Sequence, residues 1–149
     1  MFDTNVFNHI LDCEIQLEKI PSEWKVYGTH IQRDEINQTP ENYKDRREAL
    51  LEIFDNRLDV SLPTESAVWD VSSWGDCKWG NEEDSLYEVI LDDLNKLNKR
   101  SSNAQDALIA ETAIKNDLVL VTNDKNLKEV AQKYGTEVED IRITKGSKI

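Results

Sequence analysis

Cysteine is nearly absent from this 149-residue chain: Cys13 and Cys77 stand apart, too few and too isolated for a disulfide framework or a zinc site. A reducing cytoplasm is therefore the expected compartment. Long apolar runs are missing too. No stretch approaches the roughly 20 residues a membrane helix needs, and the first residues carry no basic segment leading into an apolar one, so a soluble, unexported protein without a membrane partner is expected. Positive charge is in short supply: 18 Lys and Arg face 30 Asp and Glu, for a formal net charge of -12. A global positive field is thereby excluded as a source of affinity for nucleic acid. Internal repeats and low-complexity tracts are also lacking.

What is present is a patterned, foldable chain. A charged fraction of 32% would point to disorder if the apolar residues were scattered, but they recur at helical spacings and in short strand-like runs. The length suffices to bury a core, and one domain over residues 1–143 with a flexible tail at 144–149 is expected. Val6, Phe7, Ile10, Leu11 and Leu17 predict a first helix that Pro21 stops, and 24–28 reads as a short strand. Thr29 is an N-cap for a helix over 30–36. Thr39-Pro40 opens another, with Tyr43, Leu50, Leu51, Phe54 and Leu58 as its buried stripe. Val60-Ser61-Leu62 reads as a strand, 64–73 as a short helix and 74–81 as a loop.

Leu86, Val89, Ile90, Leu94 and Leu97 mark an amphipathic helix, and Ser101 to Asn103 cap an alanine-lined one over 104–116. Leu118 to Val121 is a continuous apolar run, the pattern of a strand buried on both faces. A last helix over 125–134 ends at Gly135, and Ile141 and Ile143 predict a final strand. Strands alternating with helices argue for an α/β sheet with right-handed crossovers.

Four acids stand where such a sheet would expose them. Asp3 follows the first strand, Glu35, with Asp34 beside it, lies in the helix after the second, Asp106 sits in the first turn of the alanine-lined helix, and Asp124 follows the buried strand. Ligands of open α/β sheets collect at the carboxyl ends of strands. Four carboxylates drawn there repel one another unless a cation lies between them, and oxygen donors without Cys or His suit Mg2+ or Mn2+ rather than zinc. Taken singly, each has a plainer reading: Asp106 as a helix N-terminal acid, Asp124 as a turn residue, Glu35 as a solvated helix acid.

The order of these motifs resembles a PIN domain over nearly the whole chain. Asp3-Thr4-Asn5-Val6 is similar to the family's opening acid motif, and Glu35 follows Thr29 as its helix glutamate follows a Ser or Thr. Residues 103–110, Asn-Ala-Gln-Asp-Ala-Leu-Ile-Ala, resemble its third acid motif, and Leu120-Val121-Thr122-Asn123-Asp124 its strand ending in Thr-x-Asp. The resemblance implies a three-layer sandwich with a central parallel sheet of about five strands flanked by helices, and a nuclease site at the strand ends. It implies hydrolysis of RNA by metal-activated water, leaving a 5′-phosphate and a 3′-hydroxyl.

Within that scheme Asp3, Asp106 and Asp124 are the expected metal ligands, directly or through water, and Glu35 completes the shell or orients the attacking water. Asn5 and Thr122 are candidates to hydrogen bond those carboxylates from behind. His9 and His30 have no paired ligand at metal spacing and are expected in surface or capping roles. Lys44, Arg46 and Arg47, or Lys96, Lys99 and Arg100, are candidate phosphate grips, with solvated helix faces as the plainer reading. Trp69, Trp74 and Trp79 are candidates for base stacking, packing or a protein interface.

Length and the lack of appended domains resemble the VapC-type toxins of toxin–antitoxin pairs, which implies an RNA substrate and an antitoxin that silences the site, with a homodimer also open. An antitoxin Arg or Lys inserted among the carboxylates would imitate the metal's charge. An RNA-processing nuclease, a DNA-directed nuclease or a non-catalytic interaction module on the same scaffold are the alternatives.

Overall fold

The computed structural model describes residues 1–13, 15, 20–64 and 86–140. Its elements in chain order are α1 (Thr4–Leu11), β1 (Tyr27–Gly28), α2 (His30–Asn37), a 3₁₀ turn (Glu41–Tyr43), α3 (Lys44–Arg57), β2 (Val60–Ser61), α4 (Leu86–Leu97), α5 (Asn103–Lys115), β3 (Leu120–Val121), α6 (Lys125–Lys133) and β4 (Val138–Glu139). This is a mixed α/β fold of helices and short parallel strands.

The expected central sheet of about five strands is not seen among the described residues. Instead β1 pairs in parallel with β2, Tyr27 opposite Val60, and β3 with β4, Leu120 opposite Val138. Residues 1–3 run between the two ladders. Phe2 N–H donates to the Tyr27 carbonyl at 3.2 Å on one side, and Asp3 N–H to the Val121 carbonyl at 3.0 Å on the other. The shortfall has a local cause: Asp3 already serves as N-cap of α1, which leaves two residues for a first strand and only an isolated bridge from Phe2 to Val121.

β3 does lie between two apolar layers. Successive strand residues face opposite sides, and Leu120 enters a core with Ile90, Leu94, Leu108 and Leu127, while Val121 enters one with Phe7, Ile36, Leu50 and Phe54. Met1 and Phe2 divide in the same way. Side chains of α4, α5 and α6 therefore build one core, those of α1 and α3 the other, and α2 contributes Ile31 to the first and Ile36 to the second. In the second core Phe7 stacks edge-on against Phe54 with ring centroids 5.2 Å apart.

Local chemistry sets the element ends. Thr29 caps α2 within a reciprocal capping box: its hydroxyl accepts from Ile31 N–H, and the buried Gln32 side chain accepts from Thr29 N–H at 2.9 Å. The other end of the same amide donates to the Phe2 carbonyl at 2.9 Å, which ties α2 to the segment carrying Asp3. Gly135 closes α6 at φ 92, a left-handed position.

Two expectations need correction. Tyr43 is 57% exposed rather than part of a buried stripe; it lies in the 3₁₀ turn before α3, out of phase with the buried Leu50 and Phe54. Val89 and Leu97, at 39% and 44%, are also partly exposed, because α4 turns only Ile90 and Leu94 fully inward. The strand pairing with β3 is Val138–Glu139, and the strand expected at Ile141 and Ile143 lies outside the described residues. The predictions for 64–73 and 74–81, the three tryptophans assigned to stacking or packing, Ile141, Ile143 and the tail fall outside the described residues or, for Thr64, at their edge.

Candidate active site

The four acids expected to converge come from four separated pieces of chain. Asp3 is the N-cap of α1, its Oδ1 accepting from Thr4 N–H at 2.8 Å and its Oδ2 from the Thr122 hydroxyl at 2.8 Å. Asp124 is the N-cap of α6, its Oδ1 accepting from Asn126 N–H at 2.9 Å and Leu127 N–H at 3.2 Å. Glu35, late in α2, accepts from the Thr4 hydroxyl at 3.0 Å. Asp106 sits in the first turn of α5, 8% exposed, yet the backbone partner of its own N–H is the Ser102 carbonyl.

Burial and neighbouring charges shift the proton affinities of these acids. Burial, and then the charges of Asp3, Glu35 and Asp124, push Asp106 up to about 8. Burial and the Asp3 charge push Glu35 up to about 7, against the Thr4 hydrogen bond. Asp3 rises to about 6, driven mainly by burial and opposed by its bonds from Thr122 and Thr4. Asp124 alone is lowered: burial raises it, but the bond from Arg100 and the two α6 N–H groups outweigh that.

Arg100 is the residue that sequence reasoning placed elsewhere. A candidate phosphate grip with Lys96 and Lys99, or with them part of a solvated helix face, it instead reaches back from the α4–α5 loop, and its Nη2 lies 2.9 Å from Asp124 Oδ2 and 4.0 Å from Asp106 Oδ2. Lys96 pairs with Asp92 at 2.9 Å on its own helix. The other basic group is also engaged in ion pairs: Lys44 with Glu48, Arg46 with Asp12 and Arg47 with Glu41.

Of the two residues expected behind the carboxylates, Thr122 is there and Asn5 is exposed, with no described hydrogen bond to a carboxylate. Thr4, one residue earlier, makes that contact. Asn123, beside Asp124, sets its Nδ2 2.5 Å from His9 Nε2, which ties α1 to the start of α6. His30 stands at the first position of α2. A further buried acid, Glu111, is structural: it accepts from Tyr87 N–H at 3.0 Å in the first turn of α4 and pairs with Lys115 at 3.6 Å.

The carboxylate set suits a hard divalent cation in its chemistry, since it offers only oxygen and its protons are held by burial and, secondarily, by neighbouring carboxylate charge that a cation would offset. In its spacing, two of its members, Asp124 and Asp106, stand against the Arg100 guanidinium, and among the described residues no three His, Cys, Asp or Glu side chains stand close enough to hold one ion.

Comparison with known proteins bears on the fold. No protein-family model matches the chain, and no curated protein matches it in sequence. A solved structure does match. It is a chain of the crystal structure of VapBC2 from Rickettsia felis bound to a DNA fragment from their promoter, similar over 94% of this chain and 96% of that one, with 19% identity and a TM-score of 0.56. The two chains share a fold. No helix among the described residues is long and apolar enough to cross a membrane.

Proposed function

We propose that the chain is a PIN-type, divalent-metal-dependent ribonuclease and the toxin of a toxin–antitoxin pair. The observation that carries this reading is the set of buried carboxylates at the start of α1 and in α2 and α5, whose affinity for protons is raised first by burial and then by neighbouring carboxylate charge. A structural role would not require such repulsion, and an enzyme that neutralises a phosphodiester through cations does. The shared fold with a VapBC2 chain supports the toxin assignment and an antitoxin as partner.

Asp3, Asp106 and Asp124 would hold Mg2+ or Mn2+ only if they drew closer than they stand with Arg100 against Asp124 and Asp106. The bound ion would supply phosphate neutralisation, a lowered pKa for water and stabilisation of the leaving oxygen. The chain's own residues supply position. Thr122 and Thr4 fix the two oxygens of Asp3, and Thr4 also turns Glu35 toward the cluster. With its proton affinity near neutrality, Glu35 is suited to orient the attacking water and accept its proton. Incubating purified protein with mixed RNA and DNA in Mg2+, Mn2+ or chelator tests the proposal. Divalent-dependent loss of RNA is expected; full activity in excess chelator overturns the metal mechanism, and loss of DNA alone overturns the ribonuclease assignment.

A further inference from the structure

We propose that Arg100 is the resident counter-ion of the acidic cluster and competes with a divalent cation for Asp124 and Asp106. The inference rests on the metal-site reading above and deepens it.

The two oxygens of Asp124 are already divided between two tasks. Oδ1 accepts the N–H groups that open α6, while Oδ2 carries the Arg100 guanidinium at 2.9 Å. A cation drawing on Asp124 without breaking the helix cap must take Oδ2, and Arg100 is on it. The same guanidinium nitrogen stands 4.0 Å from Asp106 Oδ2, so both carboxylates feel one positive charge.

The loop that delivers Arg100 is pinned in place. Asn103, 1% exposed, donates its side-chain amide to Asn95 Oδ1 at 2.9 Å and to the Asn98 carbonyl at 2.8 Å, and its own N–H to the Arg100 carbonyl at 3.2 Å. Asp106 N–H then bonds the Ser102 carbonyl at 3.1 Å. These contacts hold the backbone of residues 98–102 against the start of α5, so the long side chain leaves from a fixed point. At 37% exposure that side chain still has solvent to move into when a compact dication takes its place.

Manganese titration by calorimetry on the purified chain reads the competition directly, in the parent and in Arg100→Gln, Arg100→Lys and Lys99→Gln. Lys99 is exposed and one residue away, so its variant controls for the change in net charge. Arg100→Gln is expected to bind Mn2+ about five-fold more tightly, the effect of removing one partly exposed charge pair. Arg100→Lys should fall between Gln and parent, and Lys99→Gln should match the parent. Without metal, Arg100→Gln should melt below Lys99→Gln, because the carboxylates lose their neutralising charge. Equal Mn2+ affinity in parent and Arg100→Gln, or an equal gain in Lys99→Gln, overturns the proposal and leaves the metal site standing. No Mn2+ binding by any variant overturns the metal-site reading and the competition with it. Should the Gln variant fail to fold, the Lys variant, which keeps the charge without the planar fork, decides the matter: affinity equal to the parent's counts against the competition.

Discussion

Replacing Asp106 by Asn should make the metal-free protein more stable at neutral pH, and the gain should disappear in acid. Asp106 releases its proton near its ordinary value of 3.8 in the unfolded chain, but burial and the neighbouring carboxylates push it up to about 8 in the folded one. Below about pH 3 both states are protonated and the parent suffers no loss from this group. As pH rises from there toward 8, the unfolded chain ionises while the folded one retains its proton, so the parent is progressively destabilised. From 3.8 to pH 7 spans about three units, each about 1.36 kcal/mol, which puts a ceiling near 4 kcal/mol on the gain. Asn also forfeits the approach of Arg100 and shares its relief with Asp3 and Glu35, so about 2–3 kcal/mol is the working figure. In a chain of this size that corresponds to roughly 5–10 °C in Tm. Thermal melts in chelator at pH 4.5 and pH 7 read it. An Asn variant that melts below the parent at pH 7, or one that gains equally at both pH values, refutes the reasoning and returns Asp106 to an ordinary helix N-terminal acid.

Asp124 should behave differently because it caps α6: Asp124→Ala should lose about 1 kcal/mol by chemical denaturation, whereas Asp124→Asn, itself a good cap, should lose less, and equal losses would argue against the cap. Thr4→Val should lower cleavage while costing no more than about 1.5 kcal/mol, since it removes one hydrogen bond from Glu35, and its activity–pH profile should shift to higher pH; an unmoved profile would separate Glu35 from catalysis. Gln32→Leu should cost about 2–3 kcal/mol by urea unfolding, because it leaves the Thr29 N–H and the Phe2 carbonyl unpaired in the interior, and a neutral result would show those groups find other partners. Gly135→Ala should cost about 1 kcal/mol at its left-handed φ, measured in the same way.

Helices were the most legible part of the sequence, because periodic apolar residues and caps act over a few positions. Thr29 before α2, Gly135 after α6 and the twofold burial of Leu120-Val121 all follow from local rules. Strand extent did not, since it depends on which residues of distant segments meet, and the chain turns into α1 directly after Asp3. Tyr43 was misjudged because a 3₁₀ turn shifts the phase of an α-helical pattern. In the site, the acids announced themselves by type and position. Arg100 did not: at the end of a charged helix its pattern is that of a solvated base, and only the loop closure by Asn103 turns it toward Asp124. Thr4 was hidden by its neighbour Asn5, since which of two adjacent polar residues faces inward is set by where α1 begins.

Whether these carboxylates cut RNA through a divalent cation is read most directly by cleavage of a 5′-labelled RNA by protein stripped with chelator. Activity should be absent until Mg2+ or Mn2+ is restored, should release fragments with 5′-phosphate ends, and should be abolished in an Asp106→Asn variant that melts no lower than the parent. Cleavage that survives chelator, or that persists in the folded Asn variant, would contradict the account.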